Sequence, residues 1–136
     1  MIPGEGDGSI DLRTYSPLTL AFLGDGVYGL CVRSRLVKMG NTHARVLHER
    51  TARTVSATAQ AKAYDRLEEG GVLTEEEADI MRRGLNAHVS HQAKNASSLE
   101  YHKATGLEAL FGYLYLSGAG ARIGELIDVC IDEAGI

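Results

Sequence analysis

The most apolar long stretch of the sequence, Leu18 to Leu36, carries one carboxylate, Asp25, in its middle. Ser16 and Pro17 precede it as a capping side chain and a first-turn proline, and Gly40 follows as a left-handed stop, so the stretch predicts one long helix. Helical spacing would place five side chains on one apolar face, with the acid near the opposite side: Leu20, Leu23, Val27, Leu30 and Cys31. A carboxylate within an otherwise apolar helix needs a structural or functional explanation.

The remainder of the chain has helical patterns and no sustained strand alternation. Capping boxes at Thr74 with Glu77 and at Ser97 with Glu100 open two of the helices. Helical regions are predicted over residues 42–69 with a bend or break near the middle, over 74–84, over 97–117 and over 122–134. We therefore predict an all-α fold, with a long polar loop over residues 84–96.

The length of 136 residues indicates one domain. We expect residues 1–15, rich in glycine and acids, to form a flexible lead-in and residues 16–136 to form the domain. The N-terminus has no signal-peptide pattern, and Asp25 and Arg33 interrupt the best candidate for a membrane span. We expect a cytoplasmic protein without membrane association, in which Cys31 and Cys130 are buried, reduced thiols.

The charge of the chain is distributed in blocks that its net value of -4 conceals. Residues 31–66 carry eight basic side chains and two acids, residues 67–80 carry six acids and no base, and residues 81–105 are basic again. Such blocks are typical either of solvated helix faces or of a surface that binds a polyanion. Composition alone leaves both open.

Two other patterns do not support a site. Gly24, Gly26 and Gly29 spell GxGxxG, but a dinucleotide fingerprint requires a βαβ unit, which this chain lacks. His88 and His91 lie three residues apart without a partner at zinc-binding spacing, so their roles stay open.

A second acid, Glu108, also lies within an apolar helical stripe. Taken singly, each acid has an ordinary explanation as a salt bridge or a partly exposed residue. Taken together, two carboxylates near basic segments are what a magnesium-dependent phosphodiesterase needs, since carboxylate oxygens hold the cation and basic side chains hold the polyanion.

At these residues the chain resembles the ribonuclease III family. LAFLGDGVYGLCVR is similar to its signature helix, and LEALFGYLYL, residues 107–116, to its second acidic motif. With TARTVSATAQAKA, TEEEADIMRRGLNA and Lys94-Asn95 between them, the order is similar to the short Mini-ribonuclease III branch, which has the catalytic domain but no double-stranded-RNA-binding domain.

The resemblance implies roles for individual residues. Asp25 and Glu108 match catalytic, metal-binding acids of the family, and Phe22 matches the aromatic side chain that inserts into a partner subunit. Two further acids of larger family members are replaced here by Ala21 and Thr105, as in the short branch, which leaves the number of metal ions open. Gly26, Gly29 and Leu85 also depart from the usual residues, with an effect on substrate that the sequence does not define.

The resemblance therefore implies a homodimeric, ribonuclease III-like endonuclease that hydrolyses double-stranded RNA with Mg²⁺, or Mn²⁺ as a substitute, and leaves 5'-phosphate ends. Maturation of ribosomal RNA precursors is the implied role, and the residues do not indicate whether a ribosomal protein assists. The candidates for RNA contacts are Arg33, Arg35, Arg50, Arg53, Arg82, Arg83 and Lys94. The alternatives are an inactive RNA-binding or scaffold protein on the same fold, and an all-α phosphohydrolase of small nucleotides, although the latter would need paired His-Asp or clustered Glu motifs.

Overall fold

The computed structural model describes residues 4–9, 11–87 and 98–131. Within these ranges the chain forms a short 3-10 helix and six α-helices, and no strand. The 3-10 helix is Leu12–Thr14, and the α-helices are α1 Pro17–Met39, α2 Ala44–Thr54, α3 Ala57–Gly70, α4 Glu75–Leu85, α5 Ser98–Leu116 and α6 Gly120–Cys130. The predicted all-α class is confirmed.

Local chemistry sets the helix ends. The Ser16 hydroxyl accepts a hydrogen bond from the Leu18 N–H at 3.2 Å and caps α1. The helix ends at Gly40, but that residue has φ 152° and ψ 153°, so the predicted left-handed helical stop is wrong: the chain leaves the helix directly into an extended, glycine-favoured conformation. The capping box of Thr74 and Glu77 is confirmed, whereas Ser97 lies outside the described residues.

The predicted break in the second helical region is also confirmed. The hydroxyl groups of Thr51 and Thr54 donate to carbonyls four residues earlier, a pattern that weakens and bends helices. The chain leaves the helix after Thr54 and restarts at Ala57, where the Ser56 hydroxyl accepts a hydrogen bond from the Ala59 N–H.

The predicted apolar face of α1 is partly wrong. Leu20 and Val27 are buried, but Leu30 is 50% exposed, and the buried side instead includes Ala21, Gly24 and Tyr28. A hydropathy scale ranks alanine and glycine below leucine, so a face chosen by hydropathy favours leucine. Another helix nevertheless approaches most closely at these small residues. Because they determine the contact, the helix is rotated relative to the prediction.

Helix α5 lies at the centre of the domain and packs against α1, α3 and α4. Its Leu107, Leu110 and Phe111 are completely buried, and the Phe111 ring meets Tyr28 edge-on with ring centroids 5.1 Å apart. Helix α6 covers the end of this core.

Polar contacts attach the periphery to the core. The Arg122 guanidinium donates to both carboxylate oxygens of Glu77, at 2.8 and 2.9 Å, and so links α6 to the start of α4. The Gly6 N–H donates to the Tyr115 carbonyl at 3.1 Å and Leu12 is buried, so this part of the lead-in packs against the domain. None of the described helices combines the length and apolar character needed to cross a bilayer.

Candidate active site

The crossing of α1 and α5 brings their backbones into contact through two glycines. A Cβ atom on Gly24 would lie 1.6 Å from the carbonyl oxygen of Glu108, and one on Gly112 would lie 2.0 Å from that of Leu20. Only hydrogen fits at either position. The crossing therefore places Asp25, the residue after Gly24, beside Glu108.

A second close crossing holds α5 on the other side of Glu108. A Cβ atom on Gly106 would lie 2.6 Å from the Met81 carbonyl oxygen, and one on Gly84 would lie 2.7 Å from the Gly106 Cα. Helix α5 is thus fixed between α1 and α4 by backbone contact before and after Glu108. The position of this acid depends on packing of the helices and not on a loop.

The two predicted acids meet at this crossing. The Glu108 side chain lies beside the side chains of Asp25 and of Gln60 from α3. Burial, together with the neighbouring Asp25 carboxyl group, raises the pKa of Glu108 to about 8, while the Gln60 side chain acts in the opposite direction. Asp25 itself is exposed, so the pair opens to solvent on one side.

The donor chemistry of this pair fits a hard divalent cation. Two carboxylates in contact, one of them largely buried, repel each other when both are ionised, and a cation between them relieves that repulsion. Asp25 and Glu108 would supply carboxylate oxygens, and solvent or phosphate oxygens would complete the coordination.

Two positions about one turn before the acids, where the sequence resemblance implied further acids in larger relatives, hold uncharged side chains in this chain. Ala21 and Thr105 are each 7% exposed, and the Thr105 hydroxyl donates to the Tyr101 carbonyl of its own helix at 3.1 Å. Across the described part of the chain, no group of three or more His, Cys, Asp or Glu side chains could hold a metal ion. The described residues thus contribute two acids to the candidate site.

Gln60 was not predicted as a site residue. It is 3% exposed and lies on the face of α3 that also carries Tyr64 and Leu67, at helical spacings of four and three residues. The detectable signal was a polar side chain within an apolar stripe, the same signal that singled out Asp25 and Glu108.

The candidate RNA-contacting residues are distributed over three helices. Arg33 projects from α1 and Arg53 from α2, both exposed, and Arg50 is partly exposed on α2. Arg35 and Arg82 form ion pairs with Asp128 and Asp79 respectively.

The remaining predicted positions have varied surroundings. Arg83 lines an open cleft of about 460 Å³ together with Asp11, Glu76 and Asp79. Leu85 is half-buried at the end of α4. Lys94, His88 and His91 lie outside the described residues.

The outward side of α1 carries the predicted interface residue. Phe22 is 86% exposed, which makes it the most exposed of the large apolar side chains described. A Cβ atom on Gly26, one turn later, would meet nothing within 4 Å, and one on Gly29 would meet only the flexible end of Arg33. Packing within one subunit therefore does not require glycine at either position, since only the flexible Arg33 side chain would have to move.

The raised pKa of Glu108 predicts an unusual pH dependence of stability. In metal-free buffer the folded protein keeps this proton up to about pH 8, whereas the unfolded chain releases it near 4.5, so unfolding releases a proton between these values. We expect the free energy of unfolding to fall as pH rises through this window, and Glu108→Gln to remove that part of the slope. Denaturant unfolding in EDTA at pH 5, 6.5 and 8 measures it, and equal slopes for both proteins would contradict the assignment.

Comparison with known proteins places these features in a family context. Residues 18–119 match the model of the ribonuclease III domain. The chain is 42% identical to the Mini-ribonuclease 3 of Enterococcus faecalis, covering 92% of this chain and 95% of that protein. It is 46% identical to that of Brevibacillus brevis, covering 86% of each. A crystal structure of a Fusobacterium nucleatum protein superposes with a TM-score of 0.76 at 31% identity, covering 89% of this chain and 95% of that one.

Proposed function

Because this chain belongs to the ribonuclease III family, in its Mini-ribonuclease III branch, we propose that it is a metal-dependent endonuclease that hydrolyses double-stranded RNA. The observation that carries the proposal is the contact between Asp25 and Glu108 at a glycine crossing of two helices. Two carboxylates in contact, one of them with a raised pKa, do not stabilise the fold when both are ionised. A bound cation would relieve their repulsion, so the pair suits a cation site.

In the proposed mechanism Asp25 and Glu108 would hold Mg²⁺, or Mn²⁺ in its place. When bound, the cation supplies Lewis acid chemistry for hydrolysis of a phosphodiester and offsets the negative charge of the phosphate. The helix crossing keeps both acids in position without rearrangement when RNA arrives. The expected products carry 5'-phosphate and 3'-hydroxyl ends.

The proposed substrate is an RNA duplex, by extension a precursor of ribosomal RNA. The exposed Arg33 and Arg53 and the partly exposed Arg50 are candidates for contacts to the phosphates of both strands. Such contacts read the shape of an A-form helix and carry little sequence information. Arg35 and Arg82 are weaker candidates, because each would have to exchange an acid partner for a phosphate.

Incubation of the wild-type protein with a long RNA duplex, and separately with one of its strands, tests the proposal. We expect cleavage of the duplex in Mg²⁺, none in EDTA and none of the single strand, with products that a 5'-phosphate-dependent exonuclease degrades. Binding of the duplex without cleavage in Mg²⁺ or Mn²⁺ would instead identify an inactive RNA-binding protein.

We further propose that the protein is a homodimer joined through the outward side of α1. Phe22, Leu30 and Val37 follow one another along this side, at 86%, 50% and 60% exposure. Large apolar side chains exposed in a row on one helix face are typical of an interaction surface.

Phe22→Asp should weaken the dimer and leave the folded subunit intact. An aromatic residue central to an interface contributes about 2 kcal/mol or more, so the dissociation constant should rise at least roughly thirtyfold. Sedimentation equilibrium measures it. Leu99→Asp, at a side chain that is 57% exposed on α5, is the matched control and should leave the dimer unchanged; a monomeric wild type would contradict the proposal.

A further inference from the structure

The cleft between the N-terminal lead-in, α4 and α5 is lined by a half-buried arginine, Arg83. Among the residues that the structure describes, the Arg83 guanidinium makes no hydrogen bond or ion pair, whereas the neighbouring Arg82 pairs with Asp79. A guanidinium that is partly removed from water without a protein partner loses hydration. A ligand with acceptor oxygens would offset that loss.

The carboxylates of the same cleft already have donors. Each of the three acids that line it is bound by a neighbouring side chain: Asp11 by Arg13, Glu76 by Tyr113 and Asp79 by Arg82. Only the donor to Glu76 is uncharged, and Glu76 lies two turns before Arg83 on α4. The cleft therefore has an acidic end and a basic end, and an anion would bind at the basic end.

The basic end of the cleft lies nearest to the two acids of the candidate active site. A Cβ atom on Gly84 would lie 3.0 Å from the Ala109 Cβ atom, so α4 contacts α5 at this position. Arg83 directly precedes Gly84, and Glu108 directly precedes Ala109. Arg83 and Glu108 are thus adjacent to the same helix contact.

The floor of the cleft also reaches α1. Ile80 lines the cleft one turn before Arg83. It is buried in one apolar cluster with Ala21 and Ala109, and Ala21 lies one turn before Asp25. An RNA strand with a phosphate at the two acids would therefore have a path past the basic end of this cleft.

We propose that the cleft binds the backbone of the RNA strand beside the cleavage position, with Arg83 as its phosphate-contacting residue. This inference rests on the proposed function, because the strand is the one that Asp25 and Glu108 would hold for hydrolysis. A guanidinium suits this role since it donates two parallel hydrogen bonds to a phosphate. Seven residues of helix, about 10 Å, separate that phosphate from the negative charge of Glu76.

Binding of a fluorescently labelled RNA duplex in Mg²⁺, measured by anisotropy over a series of salt concentrations, tests the inference. All proteins carry Glu108→Gln so that the duplex stays intact. Adding Arg83→Gln should raise the dissociation constant about tenfold and reduce the slope of log affinity against log salt by about one, because one phosphate contact is lost. Arg83→Lys keeps the charge and should retain the slope.

Lys62→Gln is the matched control, at an exposed position of α3 that does not line the cleft. It removes the same charge and should change neither the affinity nor the slope. With Glu108 intact, Arg83→Gln should raise KM for duplex cleavage by about the factor found for binding. An unchanged slope in Arg83→Gln, or an equal loss in Lys62→Gln, would overturn the inference. A wild type that neither binds nor cuts the duplex would instead overturn the proposed function.

Discussion

Asp25→Asn or Glu108→Gln should reduce cleavage of an RNA duplex by about a thousandfold while the protein remains folded. Each substitution removes the charge of one of the two acids that would hold the cation and retains the shape of the side chain. A loss of about 4 kcal/mol of transition-state stabilisation corresponds to that factor. Initial rates at saturating Mg²⁺, with unfolding monitored by circular dichroism, measure both parts of the prediction.

The two variants should differ in stability even though both lose activity. Glu108→Gln removes the acid whose pKa is raised by burial and by Asp25, so in metal-free buffer at pH 8 it should be at least as stable as the wild type. Glu69→Gln, at an exposed position near the end of α3, is a control for the loss of one negative charge. Full activity in either active-site variant would exclude the assigned pair.

Gly24→Ala should destabilise the fold by at least about 3 kcal/mol, because the new methyl group has no space at the crossing of α1 and α5. Its carbon would lie 1.6 Å from the carbonyl oxygen of Glu108, and that oxygen belongs to backbone that cannot move aside without separating the helices. A decrease of roughly 10 °C in the melting temperature is expected for a chain of this size.

A glycine-to-alanine substitution in α6 should have the opposite effect on stability. A Cβ atom on Gly124 would meet nothing within 4 Å, so Gly124→Ala should stabilise the protein by about 0.5–1 kcal/mol through helix propensity alone. Thermal unfolding of both variants separates the steric effect from the propensity effect. Similar melting temperatures for the two would show that the helices do not cross as described.

Both acids of the candidate site could be identified from the sequence, because each is a charged residue in an otherwise apolar helix. Asp25 and Glu108 stand in apolar helical stripes, and a resemblance to a known family linked them. The structure places the two side chains beside each other, which their spacing in the sequence could not establish. A stripe cannot indicate which third helix supplies a neighbour, because the position of Gln60 beside Glu108 depends on how α3 packs against α5.

The face of α1 was harder to predict, for a physical reason. Hydropathy ranks Leu30 above Gly24, yet Gly24 is buried and Leu30 is half exposed, because close helix contact favours the absence of a side chain. In the sequence these glycines form only a GxGxxG pattern. Their steric role depends on the partner helix, which no local pattern describes.

The backbone contact of α1 with α5 also has a consequence for heat inactivation. Asp25 and Glu108 can separate only if these two central helices separate, and that movement would open the buried contact of Tyr28 with Phe111. Activity should therefore disappear together with global unfolding, without an inactive folded intermediate. In native-state hydrogen exchange, the backbone amides around Gly24 and Gly112 should belong to the slowest-exchanging group, since they exchange only through complete unfolding.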